Sequence, residues 1–578
     1  MTDGAGSVPG HGPGAPRAAV AHADPAGAAS DLLAGPADAA AGLVVHGADA
    51  VDRAAPAPVR EALVARDVPA RLAAKDPTLW GPGAEAGAKV RLGWVDTHRR
   101  SRELLPQLAE LTEELADLDH VVLAGMGGSA LAPEVIARTL GRPLTVLDTT
   151  DPGQVRAALA DRLHRTVVVI SSKSGSTVET DSLRRAYWHA FLDAGMTEAE
   201  AARHFVAVTD PGSPLAATAT EMGVVTIPAD PDVGGRYSAL TAFGLVPSAL
   251  AGVAVADLLD DADALAASLG RDRDNPGLAL GVALGAAATT GRGTVALASD
   301  GTGVDGLGDW AEQLLAESTG KGGGGILPVV VESPDAPGAT GPDILTVSYG
   351  GALAPGVAPG AGTADVAVNG PLGAHFLAWE YAAATAAVVL GVDPFDQPDV
   401  AESKEHTARI LATGPATETP SFTEGAVEAY APPGAPGDLA GVLRWLLDGL
   451  ADDGYLAVAA YLDRRADAAV AGLRPLLARA ARRPVTFGWG PRCLHSTGQY
   501  HHGGPQVGGY LQVTGAVTDD LPVPGRPYTF GELQAAQAAG DRAALAGRGR
   551  PVLRLHLAER AAGIAQLLDA AGRTRTGR

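Results

Sequence analysis

The sequence predicts an α/β protein with two units of the same type, each a mainly parallel sheet between layers of helices. Short apolar runs such as residues 121–124 and 166–170 alternate with segments of helical periodicity. Runs that are apolar throughout are typical of strands buried on both faces of a parallel sheet. A second series of such runs begins near residue 294. The chain has 578 residues, too many for one ordinary core.

Four segments are expected along the chain. Residues 1–45 are rich in Ala, Gly and Pro, which predicts a disordered tail. Residues 46–118 have helical periodicity. Residues 119–285 form the first α/β unit, and residues 286–578 form the second, with helical and loop insertions and a C-terminal extension.

The composition limits the partners that we expect. The formal net charge is −22 without a long Lys/Arg run, which disfavours nucleic acid. The uncharged residues 237–256 could just span a bilayer, but their Ser, Thr, Gly and Pro content favours a buried helix. Cys493 is the single cysteine, so no intramolecular disulfide can form. Without a secretory signal pattern at its start, the chain is expected to be cytoplasmic, with no membrane partner.

A hydroxyl-rich loop follows the apolar run 166–170 and precedes a predicted helix. The amides and dipole at a helix start favour an anion. A helix cap with spare serines is the plainer interpretation. We interpret the loop as a phosphate cradle, with five candidate residues: Ser172, Lys173, Ser174, Ser176 and Thr177.

A glycine loop follows the apolar run 121–124 and leaves two interpretations open. Residues 125–130 fit G-x-G-x-x-A, and Asp148 ends the next strand, as in an NAD-binding fingerprint. A phosphosugar loop or a simple tight turn would use the same glycines. The hydroxyl loop favours a sugar phosphate, because a dinucleotide fold does not need a second cradle.

Five blocks resemble glucose-6-phosphate isomerase, a family of paired sugar-isomerase (SIS) domains. In the family's order they are residues 125–129 (GMGGS), 172–180 (SKSGSTVET), 233–242 (VGGRYSALTA), 310–321 (WAEQLLAESTGK) and 395–404 (FDQPDVAESK). A further block, residues 494–505 (LHSTGQYHHGGP), resembles the form of this domain that is fused to transaldolase in some bacteria.

The resemblance implies two SIS-type three-layer αβα domains and an enzyme of glycolysis and gluconeogenesis. The implied reaction is the reversible isomerisation of glucose 6-phosphate and fructose 6-phosphate through a cis-enediolate, without metal or nucleotide, in a homodimer. By the same resemblance Glu317 is the base, Arg236 stabilises the enediolate and Lys404 assists ring opening. The hydroxyl loop holds the phosphate, and Gly128 and Ser129 line the sugar.

These residue types fit the chemistry. A proton next to a carbonyl is weakly acidic, so its removal needs a positioned base and a cation near the developing oxyanion. One carboxylate can carry the proton between adjacent carbons on one face. Arginine stays protonated and donates in a fixed fork. Local ion pairs are the plainer interpretation of Glu317 and Arg236, and a solvated helix lysine that of Lys404.

The ring-opening histidine is the least determined residue. In the better-known form of the family it lies between the base and the lysine, where this chain has only His375, in a helical segment. We expect it in the 494–505 block, with His501 as first choice and His495 as the alternative. Histidine suits the step because it titrates near neutrality. His495, His501 and His502 could also bind a metal, but no zinc motif accompanies them.

Three other functions stay open. The chain could also isomerise mannose 6-phosphate, since the sequence does not show whether the site distinguishes the C2 epimers. It could be a sugar-phosphate sensor without catalysis, although a sensor would need the phosphate anchor and not Glu317. An NAD-dependent dehydrogenase is the last alternative.

Overall fold

The computed structural model describes residues 37–354, 357–359, 362–414 and 418–574. The strands are β1 (Asp38–Ala40), β2 (Leu43–His46), β3 (His120–Gly125), β4 (Thr145–Leu147), β5 (Thr166–Ser171), β6 (Phe205–Thr209), β7 (Val225–Pro228), β8 (Thr294–Ser299), β9 (Leu327–Val331), β10 (Ile344–Gly350), β11 (Val366–Asn369), β12 (Phe422–Glu424), β13 (Val427–Tyr430), β14 (Tyr455–Tyr461), β15 (Val485–Trp489), β16 (Gly508–Gly515) and β17 (Val552–Leu557).

The α-helices are α1 (Ala48–Ala54), α2 (Val59–Val64), α3 (Val68–Ala73), α4 (Glu85–Ala88), α5 (Thr97–Arg100), α6 (Leu105–Glu114), α7 (Leu131–Thr139), α8 (Pro152–Ala160), α9 (Val178–Asp193), α10 (Glu198–Arg203), α11 (Pro214–Met222), α12 (Ala242–Leu250), α13 (Val255–Ala266), α14 (Pro276–Thr289), α15 (Leu307–Thr319), α16 (Leu372–Leu390), α17 (Ala401–Thr413), α18 (Leu439–Asp448), α19 (Leu473–Ala481), α20 (Gly498–Gly503), α21 (Phe530–Gly547) and α22 (Arg560–Arg573). Short 3₁₀ helices relevant to the site are Gly127–Ser129, Gly235–Tyr237, Pro398–Val400 and Arg492–His495.

The strands form three sheets, which define three α/β units. Unit I has the order β4-β3-β5-β6-β7, unit II the order β1-β2-β11-β10-β8-β9, and unit III the order β12-β13-β17-β16-β14-β15. The unit I strands are all parallel. Units II and III each contain four parallel strands and an antiparallel hairpin at one edge. The predicted α/β class, with largely parallel sheets flanked by helices, is confirmed.

The second half of the chain differs from the expected single unit. Residues 286–578 contribute to two sheets, because β14 pairs with β15 and β16 and none of these strands pairs with unit II. One edge of unit II is closed by the hairpin β1–β2, whose strand β2 pairs with β11. Units II and III are therefore separate sheets.

That hairpin also corrects the predicted tail. Residues 38–45 were expected within the disordered segment 1–45, yet Leu43 and Val45 are buried and β2 pairs with β11 through Val45 and Val368. The alternating burial of β2 is typical of a strand with one face on a core. Residues 1–36 lie outside the described residues. Residues 46–118 fold into α1–α6 with intervening 3₁₀ turns.

Two wholly buried helices form the centre of the largest core. Helices α14 and α16 approach closely because Gly277, Gly281 and Gly285 recur every fourth residue along α14. A Cβ on Gly281 would lie 2.6 Å from Thr385, and one on Gly285 would lie 2.8 Å from Val389. Residues 237–249 of the uncharged segment are buried as well and include most of α12, and no helix in the described ranges is long and apolar enough to cross a membrane.

A buried ionic cluster joins the three units. Arg492 of unit III contacts Asp148 and Glu134 of unit I at 2.5 and 2.6 Å, and Asp309 of unit II at 3.5 Å. Arg464 adds a 2.7 Å contact to Glu134. Burial alone would raise the pKa of Glu134, but these two arginines lower it to about 2. The carboxylate is therefore charged at neutral pH and ties unit III to unit I.

Candidate functional site

A cavity of about 270 Å³ lies where unit I, helix α17 and unit III meet. The hydroxyl loop after β5 forms one wall, α17 a second, and the segment after β15 a third. The lining residues are Ser174, Ser176, Thr177, Val178, Glu179, Val400, Ser403, Lys404, Thr407, Ala408, Leu411, Leu494, His495, His502 and Gln537. Two of the predicted groups, the hydroxyl loop and Lys404, thus face one cavity.

The hydroxyl loop presents three of its five candidate residues to this cavity. Ser174 and Ser176 are exposed, and Thr177 is half-buried directly before α9. The Thr177 side chain makes no capping hydrogen bond to the helix. Gly175 has a φ of 67°, which allows the tight turn between the two serines. Hydroxyls beside an uncapped start of a 16-residue helix suit an anion.

Ser172 and Lys173 have other partners. The Ser172 hydroxyl accepts from the Gly175 amide at 3.1 Å and lies 3.0 Å from the Thr177 hydroxyl. Lys173 donates to the Asp210 carboxylate at 2.7 and 2.8 Å and to the Asp230 carbonyl at 3.0 Å. These two residues therefore shape the loop.

The glycine loop packs against protein. A Cβ on Gly128 would lie 1.9 Å from the Gly235 carbonyl oxygen, and Ser129 is buried. Asp148, the acidic residue of the dinucleotide interpretation, is only 1% exposed and paired with Arg492. The carboxylate that would receive a ribose hydroxyl is thus already bound, which disfavours the dinucleotide interpretation.

Glu317 lies in the last turn of α15 and is buried. Its Oε2 is 3.0 Å from Nε of Arg236, and its Oε1 accepts from the Gln313 amide at 3.4 Å. Burial raises the pKa of Glu317, while Arg236 opposes the rise most strongly. The charges of His495 and Lys404 also act on this carboxyl, although Glu317 and Arg236 are not among the residues that line the cavity.

The N–H groups of Arg236 have more protein partners than those of an oxyanion donor would have. Besides its Nε contact with Glu317, it donates to the carbonyls of Glu317, Pro394 and Asp396 at 2.6–3.3 Å. It also donates to the Gln397 side chain. Since an arginine has five N–H donors, every donor is engaged. Arg236 can therefore offer its charge to a reacting group while it holds Glu317.

His495 forms the acid–base pair of the cavity. Its Nε2 lies 2.9 Å from Oε1 of Glu179, and the same oxygen accepts from the Gln537 amide at 2.7 Å. Burial alone would raise the Glu179 pKa, but the charge and hydrogen bond of His495, with smaller contributions from a backbone hydrogen bond and Lys404, together lower it. The carboxylate contact fixes the orientation of the imidazole. The His495 carbonyl also accepts from Gln313 at 2.9 Å, which links it to the turn of Glu317.

His501, the first choice from the sequence, lies elsewhere. It borders a separate cavity of about 30 Å³, with its ring stacked on Tyr455 and its Nδ1 3.0 Å from the Tyr455 hydroxyl. Burial lowers the pKa of His501 to about 3. A neutral imidazole away from the hydroxyl loop is poorly suited to donate a proton. His375 is also buried, with Nε2 2.9 Å from the Gly350 carbonyl oxygen.

Three residues of this arrangement were not selected from the sequence. Glu179 and Gln313 both lie inside recognised blocks, two residues after Thr177 and four before Glu317, and this proximity was the available signal. Gln537 lies on α21, far along the chain, where no local pattern marks it. Among the described residues, no group of three or more His, Cys, Asp or Glu side chains could hold a metal.

Comparison with known proteins finds similarity over part of the chain. Residues 111–322 match the model of the phosphoglucose isomerase family. A probable glucose-6-phosphate isomerase of Haloarcula marismortui is 36% identical over 222 residues, which are 37% of this chain and 50% of that protein. A glucose-6-phosphate isomerase of Thermosynechococcus vestitus is 37% identical over 226 residues, 36% of this chain and 41% of that protein. The chain thus spans half or less of the length of these relatives.

The fold has a solved counterpart. A glucose-6-phosphate isomerase from Chlamydia trachomatis superposes with a TM-score of 0.56 at 18% identity. The match covers 66% of this chain and 90% of that one. At this identity the likeness shows the fold alone. The resemblance to glucose-6-phosphate isomerase is confirmed by the sequence matches, which include the glycine loop, the hydroxyl loop, Arg236 and Glu317.

Proposed function

We propose that this chain, whose residues 111–322 match phosphoglucose isomerase, interconverts glucose 6-phosphate and fructose 6-phosphate through a cis-enediolate. One observation carries the proposal. A single cavity joins a phosphate-binding loop, Lys404 and the His495–Glu179 pair, and both cations act on the buried Glu317 carboxyl. The blocks that it shares with isomerases support the substrate.

The phosphate is the anchor in this scheme. The hydroxyls of Ser174, Ser176 and Thr177 and the first amides of α9 hold it, while Ser172 and Lys173 keep the loop in shape. Helix α17 covers the cavity with Lys404, whose charge faces the ring end of the substrate. The anchored sugar then extends from the phosphate loop towards His495 and Glu317.

His495 opens the ring. A protonated imidazole gives its proton to the ring oxygen while the bond between that oxygen and the anomeric carbon breaks. The anomeric hydroxyl passes its proton to solvent as the carbonyl forms. Glu179 keeps the imidazole oriented, and Lys404 stabilises charge on the ring oxygen. This assignment replaces His501 by His495, on the strength of the 2.9 Å contact with Glu179.

Glu317 moves the proton. Its carboxylate removes the proton from C2 of the open aldose, which gives the enediolate, and returns it to C1, while the hydroxyl proton of O2 passes to O1 to give the ketose. Burial raises the pKa of Glu317, which makes the carboxylate a stronger base than a solvated one. The Arg236 charge 3.0 Å away stabilises the carboxylate and the developing oxyanion.

Isomerase activity is tested with the wild type and a Glu317→Gln variant, in an assay coupled to glucose-6-phosphate dehydrogenase, with and without chelator. The wild type should be active and resistant to chelator. The variant should lose at least about 10²-fold in kcat, because general acid–base catalysis contributes 10²–10⁴-fold. Glu405→Gln, on the exposed face of α17, is the matched control and should keep wild-type activity. A wild type that binds fructose 6-phosphate without turnover would indicate the sensor function.

The histidine assignment is tested by His495→Asn beside His501→Asn. We expect kcat to fall about 10²-fold or more for His495→Asn, because ring opening loses its acid. His501→Asn should keep kcat, although loss of its contact with Tyr455 can lower the thermal midpoint. Steady-state kinetics and circular dichroism on both variants check this. The opposite order of the two kcat losses would restore His501 as the catalytic histidine.

We also propose a homodimer in the cytoplasm, supported by the resemblance to isomerases and by the single cysteine. All groups of the proposed site come from one chain, so dissociation should leave the cavity intact. Light scattering should give twice the chain mass, and specific activity should stay constant on dilution. A monomeric mass at micromolar concentration would contradict the dimer.

A further inference from the structure

Lys321 follows Glu317 by four residues and is a buried cation. It is 8% exposed, and its ammonium donates to the Asp393 carbonyl at 2.5 Å, the Asp396 carbonyl at 2.9 Å and the Asp396 carboxylate at 2.6 Å. These contacts use all three donors of the lysine. Lys321 is therefore bound to one turn, residues 393–397.

The same turn holds Arg236. The carbonyls of Pro394 and Asp396 accept from the Arg236 guanidinium at 3.1 and 3.2 Å. The Asp396 carbonyl thus accepts from Lys321 and Arg236 together. Because one oxygen serves both cations, the lysine helps to determine where the guanidinium lies.

The contacts form a closed path around the base. Lys321 follows Glu317 in the chain and binds the turn, and the turn binds Arg236. The Arg236 Nε in turn lies 3.0 Å from the Glu317 carboxylate, which closes the path. Phe395 fixes the other side of the turn, with its ring 5.0 Å from Trp80 and 5.6 Å from Tyr237. The turn is therefore held by apolar packing on one side and by the lysine on the other.

We propose that Lys321 is a positioning residue of the reaction, which fixes turn 393–397 and so keeps Arg236 against the Glu317 carboxylate. The proposal rests on the proposed function, in which Glu317 is the base. Lys321 acts through Arg236 and does not touch the substrate. A residue that served stability alone would not change the ionisation of Glu317, and this difference makes the role measurable.

The variant Lys321→Met removes the charge and keeps the length of the side chain. We expect kcat for fructose 6-phosphate to fall about 10–100-fold at neutral pH, because small misplacements at a reacting centre cost up to about 10²-fold. Arg236 lowers the Glu317 pKa against burial. Without Lys321 to hold Arg236 in place, the Glu317 pKa rises, so the acid limb of the pH profile of kcat should move to higher pH by about one unit. KM should change less than kcat.

Two variants separate positioning from stability. Lys321→Arg keeps a charged donor and should keep the acid limb near its wild-type pH. Arg474→Met removes another buried cation, one held by Glu332 and the Pro337 carbonyl away from the turn. It should lower the thermal midpoint and leave the acid limb unchanged. An acid limb that also stays unchanged in Lys321→Met would overturn the proposal.

A second readout does not depend on activity. In a crystal structure of Lys321→Met we expect the distance from Arg236 Nε to the Glu317 carboxylate to exceed about 4 Å, the limit of an ion pair. A distance that stays at 3.0 Å would refute the positioning role even if the wild type proves inactive. If Lys321→Met does not fold, Asp396→Asn is measured in its place, because the Asp396 carboxylate of the wild type is half exposed. It should shift the acid limb in the same direction, and no shift would count against the proposal.

Discussion

The contact of Arg492 with Asp148 and Glu134 is the interaction on which the proposed site depends. It fixes the start of the segment that carries His495 against unit I, where Glu179 lies. Arg492 also reaches Asp309 on α15, the helix that ends with Glu317. A buried charge is costly unless it is paired, so this cluster forms only when the three units are docked. The acid, the base and the phosphate loop come together through one arginine.

The electrostatics of the site follow from burial. Glu179 and Glu317 are both buried carboxyls, but their neighbours differ. The charge of His495 lowers the pKa of Glu179, whereas burial raises that of Glu317 despite Arg236. One carboxylate is thus stabilised in its charged form and suited to orient a histidine. The other is a stronger base and suited to remove a proton from carbon.

Local patterns predicted the local parts of this structure well. The strand–loop–helix at the hydroxyl loop and the helix of Glu317 follow from apolar periodicity and matched blocks. What the patterns missed depends on contacts between distant segments. Lys173 meets Asp210 across two strand ends of unit I, and His495 and Gln537 reach Glu179 only when unit III docks on unit I. The third sheet was missed because short strands do not show which partners they pair with. The sequence does not distinguish His501 from His495 because both lie in one block; they differ in the cavity that they border and in their partners, Tyr455 and Glu179.

The placement of the substrate is tested most directly by a crystal structure of the Glu317→Gln variant with fructose 6-phosphate. The account predicts the phosphate on the hydroxyls of Ser174, Ser176 and Thr177. It predicts the ring oxygen beside His495 and Lys404, with C1 and C2 facing the side chain at position 317. A phosphate bound elsewhere, or a sugar beside His501, would contradict the account.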